Sequence, residues 1–404
     1  MRPQGAPKSA KRRTVAMSDT KQLNIKWVKR IKHIDEQDWN AIALNLTTPF
    51  FEWEWLRLLE ESGSAVETSG WLPHHLTIWR EGRLVAAAPL YIKSHSAGAF
   101  VFDHVWVDVA RRLEIQYYPK LVGMSPFSPT IGYRFLIDPR EDEIALSGVM
   151  LKAIDSLCRR YGLSGCSFNY VDPEWAKILT SHGFLSWTHQ SFAWRNRDFN
   201  SFDDYLSIFK SGQRRNIKRE RNAMDRQGIR LVALTGEQIT PELFKRMYAL
   251  YTDTNAQFGP WGCHYLTPSF FEGLHSRYRH RILLINALRE GSPTPIAMSF
   301  LLYKGDRLYG RYWGATTEAD ALHFNACYYA PIEWAIQNGI RHFDPGIGGH
   351  HKIRRGFEAV PNHSYHRFSE WRLQEILRLN IGKINQLEMA QIENINAEIP
   401  LANR

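Results

Sequence analysis

The chain has 404 residues, of which 44% are hydrophobic and 13% aromatic, so it is a folded globular protein with room for two domains rather than a disordered chain. Its four cysteines show no paired or metal-ligand spacing, and no apolar run approaches the ~20 residues that a membrane-spanning helix needs. We therefore expect a soluble, cytoplasmic protein with free thiols, no transmembrane segment, no metal site and no tightly bound cofactor.

The formal net charge of +10 comes from two segments. Residues 1–20 hold five cations and one carboxylate, and residues 209–230 hold eight cations and two carboxylates. The first segment contains Pro, Gly and Ser without apolar periodicity, so residues 1–24 are predicted to form a disordered basic tail. The second segment lies inside a region with the pattern of a folded domain.

Two parts of the chain show the same order of predicted elements. Residues 75–93 and 282–314 are predicted to form antiparallel strands joined at Arg-Glu-Gly turns, because apolar and polar residues alternate on both sides. Residues 151–184 and 328–357 each predict a helix, a strand, a loop and a Gly-Phe ending, with Gly162 and Gly339 stopping the helices. We divide the chain into an N-terminal domain (25–195), a C-terminal domain (196–375) and a C-terminal helical extension (376–404).

The second basic segment is predicted to be a helix over 209–230. Lys210, Arg214, Arg215 and Lys218 are spaced three and four residues apart, which gives one cationic stripe. Such a stripe suits a phosphate-bearing ligand, namely a nucleotide, coenzyme A or a tRNA acceptor stem. The alternative is a solvated helix whose charge is balanced by neighbouring acids.

A dense polar cluster follows a glycine-rich turn near the end of the second repeat. Glycine allows close approach of a backbone to a ligand, and polar side chains this close together resist burial. His350 and His351 are the leading candidates for proton transfer, since imidazole titrates near neutral pH. The alternative is that one faces solvent and the other hydrogen-bonds the turn. The cluster comprises Gly346, Gly348, Gly349, His350, His351, Lys352, Arg354 and Arg355.

Two further groups of residues bear on the same site. Arg311 lies at the centre of a predicted strand, where an arginine needs a charged partner. His323 and Cys327 share a helix face, although Cys327 is better explained as core packing than as a nucleophile. The residues assigned to catalysis are His323, Tyr328, His350, His351 and Lys352. The residues assigned to donor or substrate binding are Arg214, Arg215, Lys218, Arg311, Tyr312, Asn325, Gly346, Gly349 and Arg355.

Hairpin strands followed by helix, strand and helix resemble the GNAT acyltransferase fold, and two copies in one chain resemble the Fem-type ligases. Over roughly residues 40–371 the chain resembles most closely the FemAB-like family of N-acyltransferases. The matching pieces include PFFEWEWLRLLEESGSA, YYPKLVGMSPFSPTIGYRFL, RRNIKRER, YGRYWG, LHFNACYY and HKIRRGF. The resemblance implies two tandem GNAT-like domains, each with a mixed, mostly antiparallel sheet flanked by helices. We expect two sheets that meet near Pro126–Arg134 and the glycine-rich turn.

The same resemblance implies transfer of an acyl or aminoacyl group to an amine. The co-substrate would be acyl-CoA or aminoacyl-tRNA, the acceptor a small molecule or peptide with a free amine, and tRNA a possible partner, with no role for DNA. This chain departs from the family where Asn325 and His350 stand in place of carboxylates. A non-catalytic binding module for RNA or a cell-wall precursor is therefore the alternative.

Overall fold

A computed structural model describes residues 23–259 and 262–402. The predicted basic tail falls almost entirely outside these residues. The described first half contains nine strands and five helices, interspersed with short 3-10 turns at Ile31–His33, Pro49–Phe51 and Glu67–Ser69. In chain order they are β1 Asn24–Val28, α1 Glu36–Ala43, α2 Trp53–Glu61, β2 Trp71–Pro73, β3 His75–Arg80, β4 Arg83–Ala88, β5 Leu90–Lys93, α3 His104–Arg112, β6 Lys120–Gly123, β7 Leu136–Ile137, α4 Glu143–Tyr161, β8 Gly165–Phe168, α5 Ala176–Ser181 and β9 Leu185–Arg195.

The second half repeats this order with a longer hairpin sheet and ends in a long helix. Its elements are α6 Phe202–Ser207, α7 Ser211–Arg226, β10 Ile229–Thr235, α8 Pro241–Ala256, α9 Pro268–Arg277, β11 Ile282–Arg289, β12 Ala297–Lys304, β13 Arg307–Ala315, α10 Leu322–Phe324, a π-helical turn Asn325–Tyr329, α11 Ala330–Gln337, β14 His342–Asp344, a 3-10 turn His350–Arg355, β15 Glu358–Phe368 and α12 Trp371–Ala397.

The local patterns predicted these elements well. The hairpins β3–β4 and β11–β12 turn at the two Arg-Glu-Gly sequences. Helix α4 ends at Gly162, which adopts the left-handed conformation with φ 61° that glycine tolerates best. The basic helix is shorter than predicted, because residues 229–230 already belong to β10.

The strands of the two halves join one sheet instead of forming two sheets that only meet. An eleven-stranded sheet runs in the order β10-β11-β12-β13-β14-β9-β15-β8-β6-β5-β2, beside a four-stranded sheet β1-β3-β4-β7. The last strand of each half pairs with the other half, β9 with β14 and β15 with β8, and β9 and β15 pair with each other over nine positions. The expectation of separate sheets was wrong, because this exchange depends on long-range pairing that local alternation does not encode.

The segment Pro126–Arg134 nevertheless contacts the second half, since the Thr130 hydroxyl accepts a hydrogen bond from Arg311. Helices α8 and α9 also pack into the core of the first half, where the rings of Trp55 and Phe270 lie 5.2 Å apart. Helix α12 begins at Trp371, ahead of the predicted extension, and packs on both exchanged strands, β9 and β15. The fold is thus an α/β arrangement of two repeated halves that share sheet and core.

Candidate functional site

The candidate site forms where the π-helical turn meets the glycine-rich turn. Hydrogen bonds in a π-helix run from residue i to i+5, so residues five apart become neighbours. Accordingly the Tyr328 hydroxyl lies 3.4 Å from Nε2 of His323. The same hydroxyl lies 3.0 Å from Nε2 of His351, which comes from the 3-10 turn. Sγ of Cys327 lies 3.5 Å from Nδ1 of His323. Three of the residues assigned to catalysis therefore form one chain of contacts.

Burial controls the protonation of this cluster. Burial, and next the neighbouring His351, lower the pKa of His323 to about 4. Burial, and next the Arg355 and Lys352 cations, lower the pKa of His351 to about 4. Burial raises the pKa of Tyr328 above its ordinary value. At neutral pH the Tyr328 phenol therefore lies between two uncharged imidazoles, those of His323 and His351, and each imidazole can accept a proton.

The cluster has access to open space through His323. This residue lines a cavity of about 690 Å³ together with Trp313 of β13, Thr254 of α8 and the loop 315–320. The indole of Trp313 packs edge-on against the His323 ring, with centroids 5.1 Å apart. A ligand in this cavity would contact the first imidazole of the chain.

A second group of polar residues lies where β13 and β14 separate. The two strands are parallel and paired only up to Tyr309 and Asp344. Just beyond, Arg311 is the extra residue of a β-bulge opposite the Phe300–Leu301 step of β12. Its side chain is 2% exposed and pairs with Asp344 at 3.0 Å, while its second contact is the hydroxyl of Thr130. Asp344 is thus the charged partner that a buried strand arginine requires.

Lys352 is buried beneath the glycine-rich turn. Its ammonium donates to the carbonyl oxygens of Gly346 at 2.7 Å and Ile347 at 3.2 Å. Burial lowers the pKa of Lys352 to about 8, while the negative charge of Asp344 acts in the other direction and raises it. An ammonium has three donors, and among the described residues only two of them are in hydrogen bonds, so the third N–H of the buried Lys352 has no partner there.

Glu220 of α7, which the sequence did not reveal, is the group that fixes this region. Its carboxylate pairs with Arg355 at 2.9 Å and accepts a hydrogen bond from the Tyr329 hydroxyl, and all three side chains are buried. Asn325 donates to the Glu220 carbonyl oxygen at 2.9 Å. The spacing of Glu220 with Ile217 on the buried face of α7 is the signal that could have revealed it.

These contacts indicate a structural role for Arg355, whereas the sequence predicts a role in donor or substrate binding. Its guanidinium is occupied by Glu220 and by the carbonyl oxygen of His351, and it stacks on Phe324 at 3.4 Å. Arg355 therefore holds the turn that carries His351, and both of its terminal nitrogens already have partners within the described chain. Asn325 is likewise buried, and its amide donates to the carbonyl oxygens of Glu220 and Ala321.

Other assigned residues lie apart from the cluster. The ring of His350 turns to solvent and contacts Glu398 at 3.3 Å, because adjacent residues in the turn point in different directions. Arg214 turns back to the carbonyl oxygens of Ser207 and Phe209, whereas Arg215 and Lys218 are exposed and form no ion pair with any described residue.

The remaining assigned residues either pack in the core or allow a particular backbone conformation. Tyr312 packs among aromatic rings, and its buried hydroxyl has no hydrogen-bond partner within the described chain. Gly346 and Gly349 have φ of 80° and 87°, and a Cβ on Gly349 would lie 2.6 Å from the His351 ring. Glycine at 349 therefore lets the His351 ring fold back toward Tyr328.

Among residues 23–259 and 262–402, no group of three or more His, Cys, Asp or Glu could hold a metal ion, and the predicted absence of a metal stays a prediction. No helix in the same part of the chain has the length and apolar character to cross a membrane.

Two solved structures share this fold with TM-scores of 0.50 or above, and a third is similar at a lower score. The crystal structure of FemX matches with a TM-score of 0.52 and 12% identity, covering 88% of this chain and 100% of that one. The C-terminal DUF2156 domain of a candidate lysylphosphatidylglycerol synthetase from Agrobacterium fabrum matches with a TM-score of 0.50 and 9% identity, covering 85% and 94%. A tandem GNAT protein from the clavulanic acid biosynthesis pathway matches with a TM-score of 0.44 and 11% identity, covering 86% and 99%.

No curated protein sequence matches the chain significantly. The model of the FemAB-like family, described as peptidoglycan biosynthesis/recognition, matches residues 30–403. The chain belongs to the FemAB-like family.

Proposed function

We propose that the protein is an N-acyltransferase that moves an acyl or aminoacyl group from an activated donor to an amine. The observation that carries this proposal is the Tyr328 hydroxyl between two uncharged imidazoles, beside the partly unsatisfied ammonium of Lys352. Acyl transfer to an amine needs a proton acceptor and a donor for the oxyanion, and this cluster offers both.

The uncharged acceptor amine attacks the donor carbonyl, and the carbon–nitrogen bond forms as the carbonyl oxygen becomes an oxyanion. The free N–H of Lys352 donates to that oxyanion. The new ammonium is more acidic than the protonated free amine, and His351, which is uncharged, accepts its proton. The bond from carbon to the leaving sulfur or oxygen then breaks, and the leaving group takes up a proton.

Tyr328 connects the two imidazoles and gives the proton a route outward. It receives the proton from His351 and passes its own proton to His323, which lines the open cavity. The order of contacts supports this path because each step lies within 3.4 Å. Arg311 acts on the shape of the site instead, because its contacts with Asp344 and Thr130 hold open the gap between β13 and β14.

Both phosphate-bearing donors fit the position of α7. This helix is tied to the turn that carries the cluster, since Gln213 donates to the Arg354 carbonyl oxygen at 2.7 Å. The exposed cations Arg215 and Lys218 on the same helix would bind the phosphates of acyl-CoA or of aminoacyl-tRNA. The family description supports an acceptor amine on a cell-wall precursor.

The test is a transfer assay with labelled acetyl-CoA and with aminoacyl-tRNA against a panel of small-molecule and peptide amines. His351→Ala should reduce transfer by ~10²–10⁴-fold, the usual loss of a general acid–base group. His350→Ala, the adjacent residue turned to solvent, is the matched control and should leave transfer unchanged. A protein that binds these donors but transfers nothing, or an active one indifferent to His351, would overturn the proposal and favour a binding module.

A further inference from the structure

A second, larger concavity lies along the edge of the eleven-stranded sheet, away from the His323 cavity. It has a volume of about 1300 Å³ and is bounded by β10, α6, α7, α11 and the β11–β12 turn. Cavities for small ligands usually measure about 300–1,000 Å³, so this groove is large enough for a segment of polypeptide. The proposed acyl transfer involves one residue of its wall, Lys218 of α7, and does not involve strand β10.

Strand β10 presents an unpaired backbone to this groove. Among residues 23–259 and 262–402 it is the outermost strand of the sheet order and pairs only with β11. Glu290 donates from its backbone to the Gly228 carbonyl oxygen at 3.0 Å, so these opposed residues form a hydrogen-bonded pair. Hydrogen-bonded pairs alternate along antiparallel strands, so Leu231 and Ala233 direct their N–H and C=O groups away from β11. Both residues line the groove and receive no other backbone hydrogen bond within the described chain, and Leu231 is half-buried while Ala233 is exposed.

This edge also lacks the features that usually prevent strand addition. Exposed edges are commonly protected by proline, by a bulge or by a covering element. Strand β10 has no proline, and its register with β11 is regular over all seven residue pairs. In the described chain no strand pairs with its outer edge, and the helices that contact β10 are α7 and α11. The edge is therefore competent to accept another strand.

The groove walls fit a peptide better than a polyanion. Leu206, Ala330 and Trp334 supply apolar contacts on one side. The charged residues Lys218, Asp225, Arg230, Arg289 and Glu290 line the groove as well, and no ion pair is formed by any of them among the described residues. Charges of both signs would repel parts of a nucleic acid backbone, whereas they suit a peptide that carries both signs itself.

We propose that this groove binds an extended peptide with alternating apolar and charged side chains, which adds to the sheet as a strand beside β10. The N–H and C=O groups of Leu231 and Ala233 would pair with the peptide backbone. One face of the peptide would contact Leu206 and Trp334, and the other would meet the charged rim. The inference does not depend on the proposed acyl transfer.

The probe is the blocked pentapeptide acetyl-Val-Lys-Val-Glu-Val-amide, with a fluorescent label for polarisation measurements on the full chain. Saturating peptide should slow hydrogen exchange at Leu231 and Ala233 and leave the exchange of β14 unchanged. A version in which an ester oxygen replaces the central amide N–H should bind about fivefold more weakly, the factor for one net hydrogen bond. This comparison uses the unaltered protein.

The matched variants are Ala233→Pro and Ala233→Val. Proline removes the outward N–H without removing a bond to β11, so it should weaken peptide binding by about tenfold or more. Valine enlarges the side chain but keeps the N–H, so binding should persist. Absence of peptide binding, equal binding of the ester version, or equal binding by the two variants each contradicts strand addition. Protection of β10 by a uridine hexanucleotide in place of the peptide would identify the groove as an RNA site and overturn the inference.

Discussion

The buried pair between Glu220 and Arg355 predicts a large and specific loss of stability when its charge is removed. Both side chains are almost fully buried, with 7% and 3% exposed. In Glu220→Gln the shape is kept, but the Arg355 guanidinium loses its counter-charge and the Tyr329 hydroxyl loses a charged acceptor. Removing one partner of a buried ion pair costs about 3–5 kcal/mol. We expect the free energy of unfolding to fall by about 3 kcal/mol, since the amide retains one acceptor oxygen.

The assay is equilibrium unfolding in urea, followed by tryptophan fluorescence and by far-ultraviolet circular dichroism. Asp225→Asn is the control, because it makes the same chemical change at an exposed position of the same helix and should alter stability by less than about 0.5 kcal/mol. The double variant Glu220→Gln with Arg355→Met should recover part of the loss, because no unpaired charge stays buried. If Glu220→Gln unfolds like the control variant, the carboxylate does not hold the turn that carries His351.

Three further predictions concern pH and packing. The pKa of Lys352 is about 8 and its ammonium form is the active one, so kcat/KM should fall above about pH 8. Lys352→Met should abolish this fall. A rate that rises through pH 8 would instead indicate that Lys352 acts as a base. Burial, and next the Lys120 cation, lower the pKa of Lys93 from its ordinary 10.5 to about 6 in the folded protein. Between pH 6 and 10.5 the unfolded chain therefore binds more protons than the folded chain, so the free energy of unfolding should rise with pH in this range. Urea unfolding of Lys93→Met should not show this rise. A Cβ on Gly314 would lie 2.2 Å from the Leu250 carbonyl oxygen. Gly314→Ala should therefore push α8 away from the sheet and lower the free energy of unfolding, measured by thermal denaturation, by about 1–3 kcal/mol. A variant that melts like the unaltered protein would contradict this packing.

The candidate site was predictable from the sequence where its residues are close in the chain. His323 and Tyr328 are neighbours on one helical segment, and His351 and Lys352 follow a turn whose glycines are visible in the sequence. The partners that fix them were not predictable. Glu220 lies 135 residues from Arg355, and its burial depends on how α7 packs, which the charge of that helix conceals.

Sequence alone determined the order of elements, the two repeats and the ends of the helices, because strand alternation, helical spacing and glycine stops act over a few residues. Only the tertiary structure decided that β9 and β15 exchange between the halves, since strand pairing at long range depends on which edges meet. It also decided that His351 turns inward to Tyr328 while His350 turns to solvent. That choice follows from the backbone of one short turn, held from outside by Glu220 through Arg355.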